Sequence, residues 1–242
     1  MNFGKKLSKT LKHHVNIVCV KYGTKYSDEH VKRLYRMVEK NTSLPFSFYC
    51  LSDTEINGIQ TIPLDLSLDL ESYWWKICLF NLDLPGPIIY FDLDIVIQNN
   101  FDSVVECIQP DKILAINIEH YGVQFPYDGY EDNILTIPEA RLNSSVIGFF
   151  NNHNDIYQQF FRNPDTNIIL YFGLDRFLSK HYMDRFNWLD FAKHYYFRGK
   201  GIEAYDPKYI GEDGLIFDPT KTFCIVSQGV PEVYDKLEKY FL

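Results

Sequence analysis

The chain has 242 residues, enough for one α/β domain with a sizeable core, and 46% of them are hydrophobic, an ordinary share for a globular protein. Its formal net charge of -8 at pH 7 argues against a general nucleic-acid binder. No apolar run is long enough to span a bilayer, and the lysine-rich start lacks the apolar core of a signal peptide. We therefore expect neither a transmembrane segment nor a nucleic-acid partner.

The first 14 residues predict a polar, basic arm ahead of a single domain over residues 15–242. No acidic residue precedes Asp28, whereas six lysines do. These are Lys5, Lys6, Lys9, Lys12, Lys21 and Lys25. Such an arm either stays solvated, which we favour, or touches a membrane surface or an anionic partner.

The five cysteines indicate a reducing compartment. They are odd in number, scattered and mostly embedded in apolar runs, and no pair has metal-ligand spacing. We expect buried free thiols, and therefore a cytoplasmic protein.

Apolar runs alternate with amphipathic segments along the chain, which predicts alternating strands and helices. The predicted strands cover residues 15–20, 46–51, 59–64, 87–97, 113–118, 142–150 and 223–226. The predicted helices start at Asp28, with Ser27 as N-cap, and cover 71–80, 156–161, 175–182 and 231–240. Irregular segments over 119–138 and 199–222 predict loops, the first suited to an active site. This order favours one α/β sandwich.

Asp92 and Asp94 stand inside the apolar run 87–97. Because side chains alternate along a strand, the two carboxylates are expected on the same face. Two like charges in apolar surroundings need compensation, and carboxylate oxygens suit Mg²⁺ or Mn²⁺. A metal held by two carboxylates keeps open positions, which a diphosphate can fill.

Two enzyme classes place D-x-D after an apolar strand. In phosphatases that form an aspartyl-phosphate the motif continues as D-x-D-x-T and its first Asp, here Asp92, is the nucleophile. This chain has Val96 in place of that Thr, and at least two predicted strands precede the motif, which weakens that alternative.

The second class is the GT-A nucleotide-sugar glycosyltransferases, and more of the chain resembles them. The segment 73–80 followed by 88–96 resembles their helix and D-x-D strand, and is similar to the retaining family 8 and its bacterial and viral relatives. Segment 142–148 resembles that group's N-S-G-V strand, with Ser145 where Gly is usual. Segment 173–178 resembles G-D-Q-x-x-L, with Arg176 at the Gln. Segment 226–231 resembles H-G-x-x-K-P, with Gln228 at the His.

The resemblance implies a single-domain, Rossmann-like GT-A sandwich with a mixed, mostly parallel sheet. It implies a metal-dependent hexosyltransferase that moves a sugar from a nucleoside-diphosphate-sugar, by first guess a UDP-sugar, to a hydroxyl of an unknown glycan, lipid or protein, with retention. A relative that binds nucleotide sugars without turnover remains an alternative, because of the departures at Arg176 and Gln228.

The resemblance also implies residue roles. For the nucleotide, it implies that the loop with Tyr22 and Thr24 binds the base and that Asp53 also contacts the base. It implies that Lys76 contacts the diphosphate and that Asp92 contacts the ribose. The residues implied for the metal, Mn²⁺ or Mg²⁺, are Asp92, Asp94 and Gln228. On the sugar side they are Asn143 and Asp175, the expected catalytic pair.

Overall fold

The computed structural model describes residues 14–117, 140–189, 194–196 and 224–226, the last two ranges by their backbone. Residues 1–13 of the predicted arm, the loops 119–138 and 199–222, the helix 231–240 and Gln228 lie outside these residues.

The strands are β1 (Val15–Lys21), β2 (Phe46–Ser52), β3 (Gln60–Pro63), β4 (Pro87–Phe91), β5 (Ile95–Ile97), β6 (Ile113–Asn117), β7 (Leu142–Phe150), β8 (Phe186–Trp188), β9 (His194–Tyr196) and β10 (Cys224–Val226). The α-helices are α1 (Asp28–Asn41), α2 (Asp102–Val105), α3 (Asn154–Phe161), α4 (Pro164–Tyr171) and α5 (Leu174–His181). The 3₁₀-helices are Leu66–Leu68, Ser72–Asn81 and Met183–Arg185.

Seven strands form one mixed sheet in the order β3-β2-β1-β4-β7-β6-β8. β3, β2, β1 and β4 run parallel to one another, β7 is antiparallel to β4 and β6, and β8 is parallel to β6. A small second sheet has the order β5-β10-β9. The expected α/β class with a mixed, mostly parallel sheet is therefore confirmed.

β1 lies between β2 and β4, and six of its seven residues are buried, as a parallel strand covered on both faces requires. Val15, Ile17 and Cys19 pack on the α1 side of the sheet. Val18 packs on the opposite side with Trp74 of the long 3₁₀-helix. The sheet is thus covered by helices on both faces.

α1 begins where the sequence predicts. Ser27 is its N-cap, and the Ser27 backbone N–H donates to His30 Nδ1 at 3.2 Å. Asp28 in the first turn carries negative charge at the helix N-terminus, where the helix dipole favours it. Val31 and Leu34 are fully buried against the sheet, so the amphipathic pattern places the helix correctly.

Three expectations about local structure need correction. Residues 71–80 were expected to be helical, and Ser72–Asn81 forms a 3₁₀-helix. Cys107 is exposed, although Cys19 and Cys50 are buried free thiols as expected. Segment 87–97 is not one strand, because β4 ends at Phe91 and β5 belongs to the second sheet.

No helix among the described residues combines the length and the apolar character needed to cross a bilayer.

Candidate active site

The carboxyl ends of β1 and β2 carry two loops that are joined by hydrogen bonds. The Gly23 N–H donates to Asp53 Oδ2 at 2.9 Å, and Lys21 Nζ donates to Thr54 Oγ1 at 3.2 Å. Gly23 has a φ of 65°, a backbone conformation that favours glycine. Asp53, expected to accept a hydrogen bond from a base, therefore already holds the neighbouring loop with one of its oxygens.

Tyr22 lies in the first of these loops, next to the long 3₁₀-helix. Its half-buried ring packs against Trp75, with centroids 5.2 Å apart and planes inclined by 39°. Thr24 is exposed in the same loop. Both residues expected to bind the base thus lie at the carboxyl edge of the parallel strands, where open α/β sheets bind their ligands.

Asp92, Leu93 and Asp94 form a turn between β4 and β5, which corrects the expectation that the two aspartates share one face of a single strand. Leu93 is buried in the core on the α1 side. The strand breaks here because the chain leaves the seven-stranded sheet, and Ile95 pairs with Val226 in the second sheet.

Lys76 holds the first of the two carboxylates. Its ammonium lies 2.7 Å from Asp92 Oδ1 and 2.8 Å from Asp92 Oδ2, and the side chains of Lys76 and Asp92 are only 18% and 15% exposed. Tyr90, two residues before Asp92 in β4, donates its hydroxyl to Asp92 Oδ1. Lys76 Nζ also donates to Ser144 Oγ at 3.4 Å. The expected diphosphate ligand, Lys76, is therefore paired with the expected ribose and metal ligand, Asp92.

Electrostatics show which other carboxylates act on the Lys76 ammonium. Burial alone would lower the pKa of Lys76, but attraction by Asp92, then Asp175 and Asp94, raises it above its usual value. The ammonium therefore stays charged in the presence of three carboxylates. Burial, followed by the nearby Asp92 charge, raises the pKa of Tyr90 well above its usual value, so its hydroxyl remains a proton donor.

Asp175 reaches the cluster from the first turn of α5. Its Oδ1 accepts a hydrogen bond of 3.1 Å from the Ser144 N–H. Burial raises the pKa of Asp175, and the Lys76 ammonium opposes that rise. The structure thus places Asp175 near enough to the Lys76 ammonium for the two charges to interact.

A bulge in β7 presents Ser144 to the cluster. Ala115 of β6 lies opposite Ile147, whereas the next residue, Ile116, lies opposite Asn143, so the register shifts at this point. The buried Asn143 accepts a hydrogen bond of 2.9 Å from the Ser145 N–H through its own Oδ1. Bulges re-aim side chains and are common beside active sites. Asn143 therefore shapes the bulge that carries Ser144.

The fit of a divalent metal can be tested on this donor set. Asp92 and Asp94 offer the hard oxygen ligands that Mg²⁺ and Mn²⁺ prefer. Three carboxylates act on one ammonium, which leaves negative charge for a cation to compensate. Within the part of the chain that the structure describes, no three His, Cys, Asp or Glu side chains are grouped to hold a metal. The described residues thus supply two carboxylates of suitable chemistry but no complete ligand set for an ion.

Tyr90, Ser144 and Lys21 are the site residues that the sequence did not predict. Tyr90 had a signal, since it precedes Asp92 by two positions in a strand and shares its face. Ser144 stands at the Ser of the N-S-G-V resemblance, but its contact with Lys76 depends on a register shift that the sequence does not show. Lys21 was counted with the basic residues near the N-terminus, but it is buried.

No protein-family model and no curated protein matches the sequence. Solved structures do resemble it in fold. The galactosyltransferase LgtC, in complex with donor and acceptor sugar analogs, is 12% identical, with a TM-score of 0.58 over 93% of this chain and 96% of that one. A glycosyltransferase involved in the glycosylation of the major capsid of PBCV-1 is 12% identical, with a TM-score of 0.53 over 93% and 98%.

Mouse xyloside xylosyltransferase 1 is 9% identical, with a TM-score of 0.54 over 89% of this chain and 98% of that one. At such low identities these similarities concern the fold. The expected resemblance is therefore confirmed at the level of the fold, and this chain has the fold of the GT-A glycosyltransferases.

Proposed function

We propose that this chain is a metal-dependent glycosyltransferase that moves a sugar from a nucleoside-diphosphate-sugar donor to a hydroxyl acceptor. The observation that carries the proposal is the cluster of Lys76, Asp92, Asp94 and Asp175 beside the loop of Tyr22. The GT-A fold and the sugar analogs bound to its structural neighbour LgtC support it. A UDP-sugar is the first donor to try, and a glycan, lipid or protein is the acceptor.

The nucleotide end of the donor lies along the first two loops. Tyr22 stacks on the base, since its ring has a flat face and its position is set by Trp75. The loop held by Asp53 and Gly23 lines the same end, with Thr24 at its exposed side. Asp92 contacts the ribose.

Asp92 and Asp94 hold the Mn²⁺ or Mg²⁺, and Gln228 is the proposed third protein ligand. Val226, two residues before Gln228, pairs with Ile95, the residue after Asp94, which supports that assignment. A bound divalent ion supplies electrostatic stabilisation of charge that builds on the leaving diphosphate.

The chain's own residues orient the rest of the donor. Lys76 provides a fixed positive charge near the diphosphate. Asp175 and the bulge shaped by Asn143 lie on the sugar side, where Asp175 accepts hydrogen bonds from sugar hydroxyls. The acceptor oxygen bonds to the sugar C1 on the face from which the diphosphate departs as the C1–O bond to the diphosphate breaks, and the departing phosphate oxygen takes the acceptor proton. The transfer therefore proceeds with retention and without a protein nucleophile.

The test is donor hydrolysis. The purified chain is incubated with UDP-, GDP-, ADP- and CDP-sugars in Mn²⁺, and release of the nucleoside diphosphate is measured with and without excess chelator. Metal-dependent release from one of these donors supports the proposal. Nucleotide binding without release identifies a non-catalytic relative, and a phosphoaspartate trapped at Asp92 identifies a phosphatase; either result contradicts it.

A further inference from the structure

Lys21, the last residue of β1, is buried although it carries a charge. Its side chain is 7% exposed, and it follows six residues of an interior strand of the sheet. Lysine is almost never this buried unless its ammonium is paired. Its partners therefore indicate what the residue does.

The Lys21 ammonium joins three elements. It donates to Thr54 Oγ1, in the loop after β2, at 3.2 Å. It also lies 3.3 Å from Asp28 Oδ1, in the first turn of α1. The buried Lys21 ammonium thus links the end of β1 to the loop after β2 and to the first turn of α1.

A second link lies two residues further on, where the Gly23 N–H donates to Asp53 Oδ2 at 2.9 Å. Tyr22 stands between these two anchored positions. Because the backbone is held on both sides, the Tyr22 ring has little freedom beyond its contact with Trp75, 5.2 Å away between centroids. Holding a recognition residue in its bound position lowers the entropy cost of binding.

We propose that Lys21 is a positioning residue for nucleotide binding: its ammonium fixes the loop that presents Tyr22 to the base. The proposal rests on the proposed function, because that assigns the loop to the nucleotide. Lys21 acts on the binding of the nucleotide and leaves the groups around Asp92 and Lys76 unchanged. Its loss should therefore affect affinity for the donor more than the rate of the bound complex.

A purely structural role is the competing explanation. Asp28 is 48% exposed, so its ion pair with Lys21 contributes little to folding stability. A structural role alone would lower the melting temperature and leave the nucleotide affinity of the folded protein unchanged. Measurement well below the melting temperature separates these outcomes.

The experiment compares Lys21→Met, which keeps an unbranched side chain without charge, with Lys21→Arg, which restores the cation. We expect Lys21→Met to raise the dissociation constant for UDP in the presence of Mn²⁺, measured by calorimetry, about tenfold. The KM for the donor should rise by the same factor, because the loss corresponds to one charge-assisted hydrogen bond, about tenfold in affinity. We expect kcat to stay within about a factor of two. Lys21→Arg should recover most of the affinity.

Two further variants serve as controls for this experiment. Thr54→Val removes one acceptor while Lys21 stays, and should weaken UDP binding by a smaller factor, which keeps a test available if Lys21→Met fails to fold. Lys25→Met removes a charge from the same loop, where Lys25 lies 5.2 Å from the Tyr26 ring centroid, and should leave UDP binding unchanged.

Equal weakening by Lys25→Met and Lys21→Met would show general attraction by charge and overturn the proposal. So would unchanged UDP binding by both Lys21→Met and Thr54→Val. If the parent chain binds no nucleoside diphosphate at all, the proposed function itself fails. The two failures are therefore distinguishable.

Discussion

The charge balance of the site depends on the ammonium group of Lys76. It is mostly buried, yet its pKa is raised, because three carboxylates outweigh the cost of burial. Removing one partner of a buried ion pair leaves an uncompensated charge, which is far more costly than the pair itself is worth. The Lys76 ammonium therefore compensates part of the negative charge of the three carboxylates, and a bound metal would compensate more of it.

The two aspartates should differ in their effect on turnover. We expect Asp94→Asn to abolish donor hydrolysis and Asp92→Asn to lower it by roughly two orders of magnitude, since each loses a hard metal ligand. Nucleotide release from the preferred donor is the measurement. Asp165→Asn, in the first turn of α4 and exposed, is the matched control and should behave as the parent. Near-normal hydrolysis by Asp94→Asn would show that this carboxylate is not at the reaction.

Asp92 and Asp94 could be found from sequence because carboxylates inside an apolar run are unusual and demand a cation. Asp175 and Asn143 required a resemblance, since nothing local distinguishes them from solvated residues. Ser144 was marked only by the N-S-G-V resemblance, because its contact with Lys76 depends on a register shift between β6 and β7. The burial of Lys21 was not predicted, because a lysine in a lysine-rich segment is expected to be exposed.

At the scale of elements, β1, α1 and β7 form where periodicity predicts, because each carries an unbroken apolar strand or an amphipathic stripe. α4 was not predicted. Its apolar residues are consecutive, and Ile169 and Leu170 are exposed, so no buried stripe marks it. β8 and β9 have three residues each and are set by pairing with distant strands, which local sequence cannot specify.

A side chain at Gly148 in β7 would clash with Ile108 unless Ile108 moves. A Cβ there would lie 2.8 Å from Ile108 Cγ1 and 2.9 Å from Ile108 Cδ1. We expect Gly148→Ala to lower the free energy of unfolding by about 1–3 kcal/mol through overpacking. Urea denaturation measures it.

The matching control is a double-mutant cycle with Ile108→Ala, which removes the clashing atoms. The double variant should be more stable than the sum of the two single effects predicts. Strict additivity would show that Ile108 does not limit the space at Gly148.

α3 makes stability depend on pH through His153, its N-cap residue. Burial, followed by the positive charge of Arg185, lowers the pKa of His153 below its usual 6.5. A histidine with a lowered folded-state pKa binds fewer protons than in the unfolded chain, so stability is complete above about pH 6.5 and falls as the pH drops below it.

We therefore expect the free energy of unfolding to decline between pH 7 and pH 5, and to decline less in His153→Gln, which cannot take up the proton. Urea denaturation across that range is the measurement. His181, whose pKa is also lowered by burial, contributes in the same direction in both proteins. An identical pH dependence in parent and variant would exclude His153 as a source.

At the scale of the whole molecule, the parallel strands β1, β2 and β4 bring their carboxyl ends to one edge of the sheet. That edge carries Tyr22, Asp53 and Asp92 from segments far apart in sequence. The alternation of strands and helices predicted this edge, because right-handed crossovers place successive parallel strands side by side. The antiparallel insertion of β7 and the second sheet depend on long-range pairing and were not predicted.

The net charge of -8 repels a nucleoside diphosphate, which would also meet the acidic cluster at the site. Binding of the nucleotide therefore requires a cation. A metal that bridges Asp92 and Asp94 to the diphosphate removes that repulsion. Metal and nucleotide should therefore bind together, each strengthening the other.

Thermal unfolding with UDP is the most direct test of this account. With Mn²⁺ or Mg²⁺, UDP at about one hundred times its dissociation constant should add roughly 2.7 kcal/mol to the stability and raise the melting temperature. With excess chelator the same UDP concentration should leave the melting temperature unchanged. Equal stabilisation by UDP in metal and in chelator would contradict a metal bridge between the aspartates and the nucleotide.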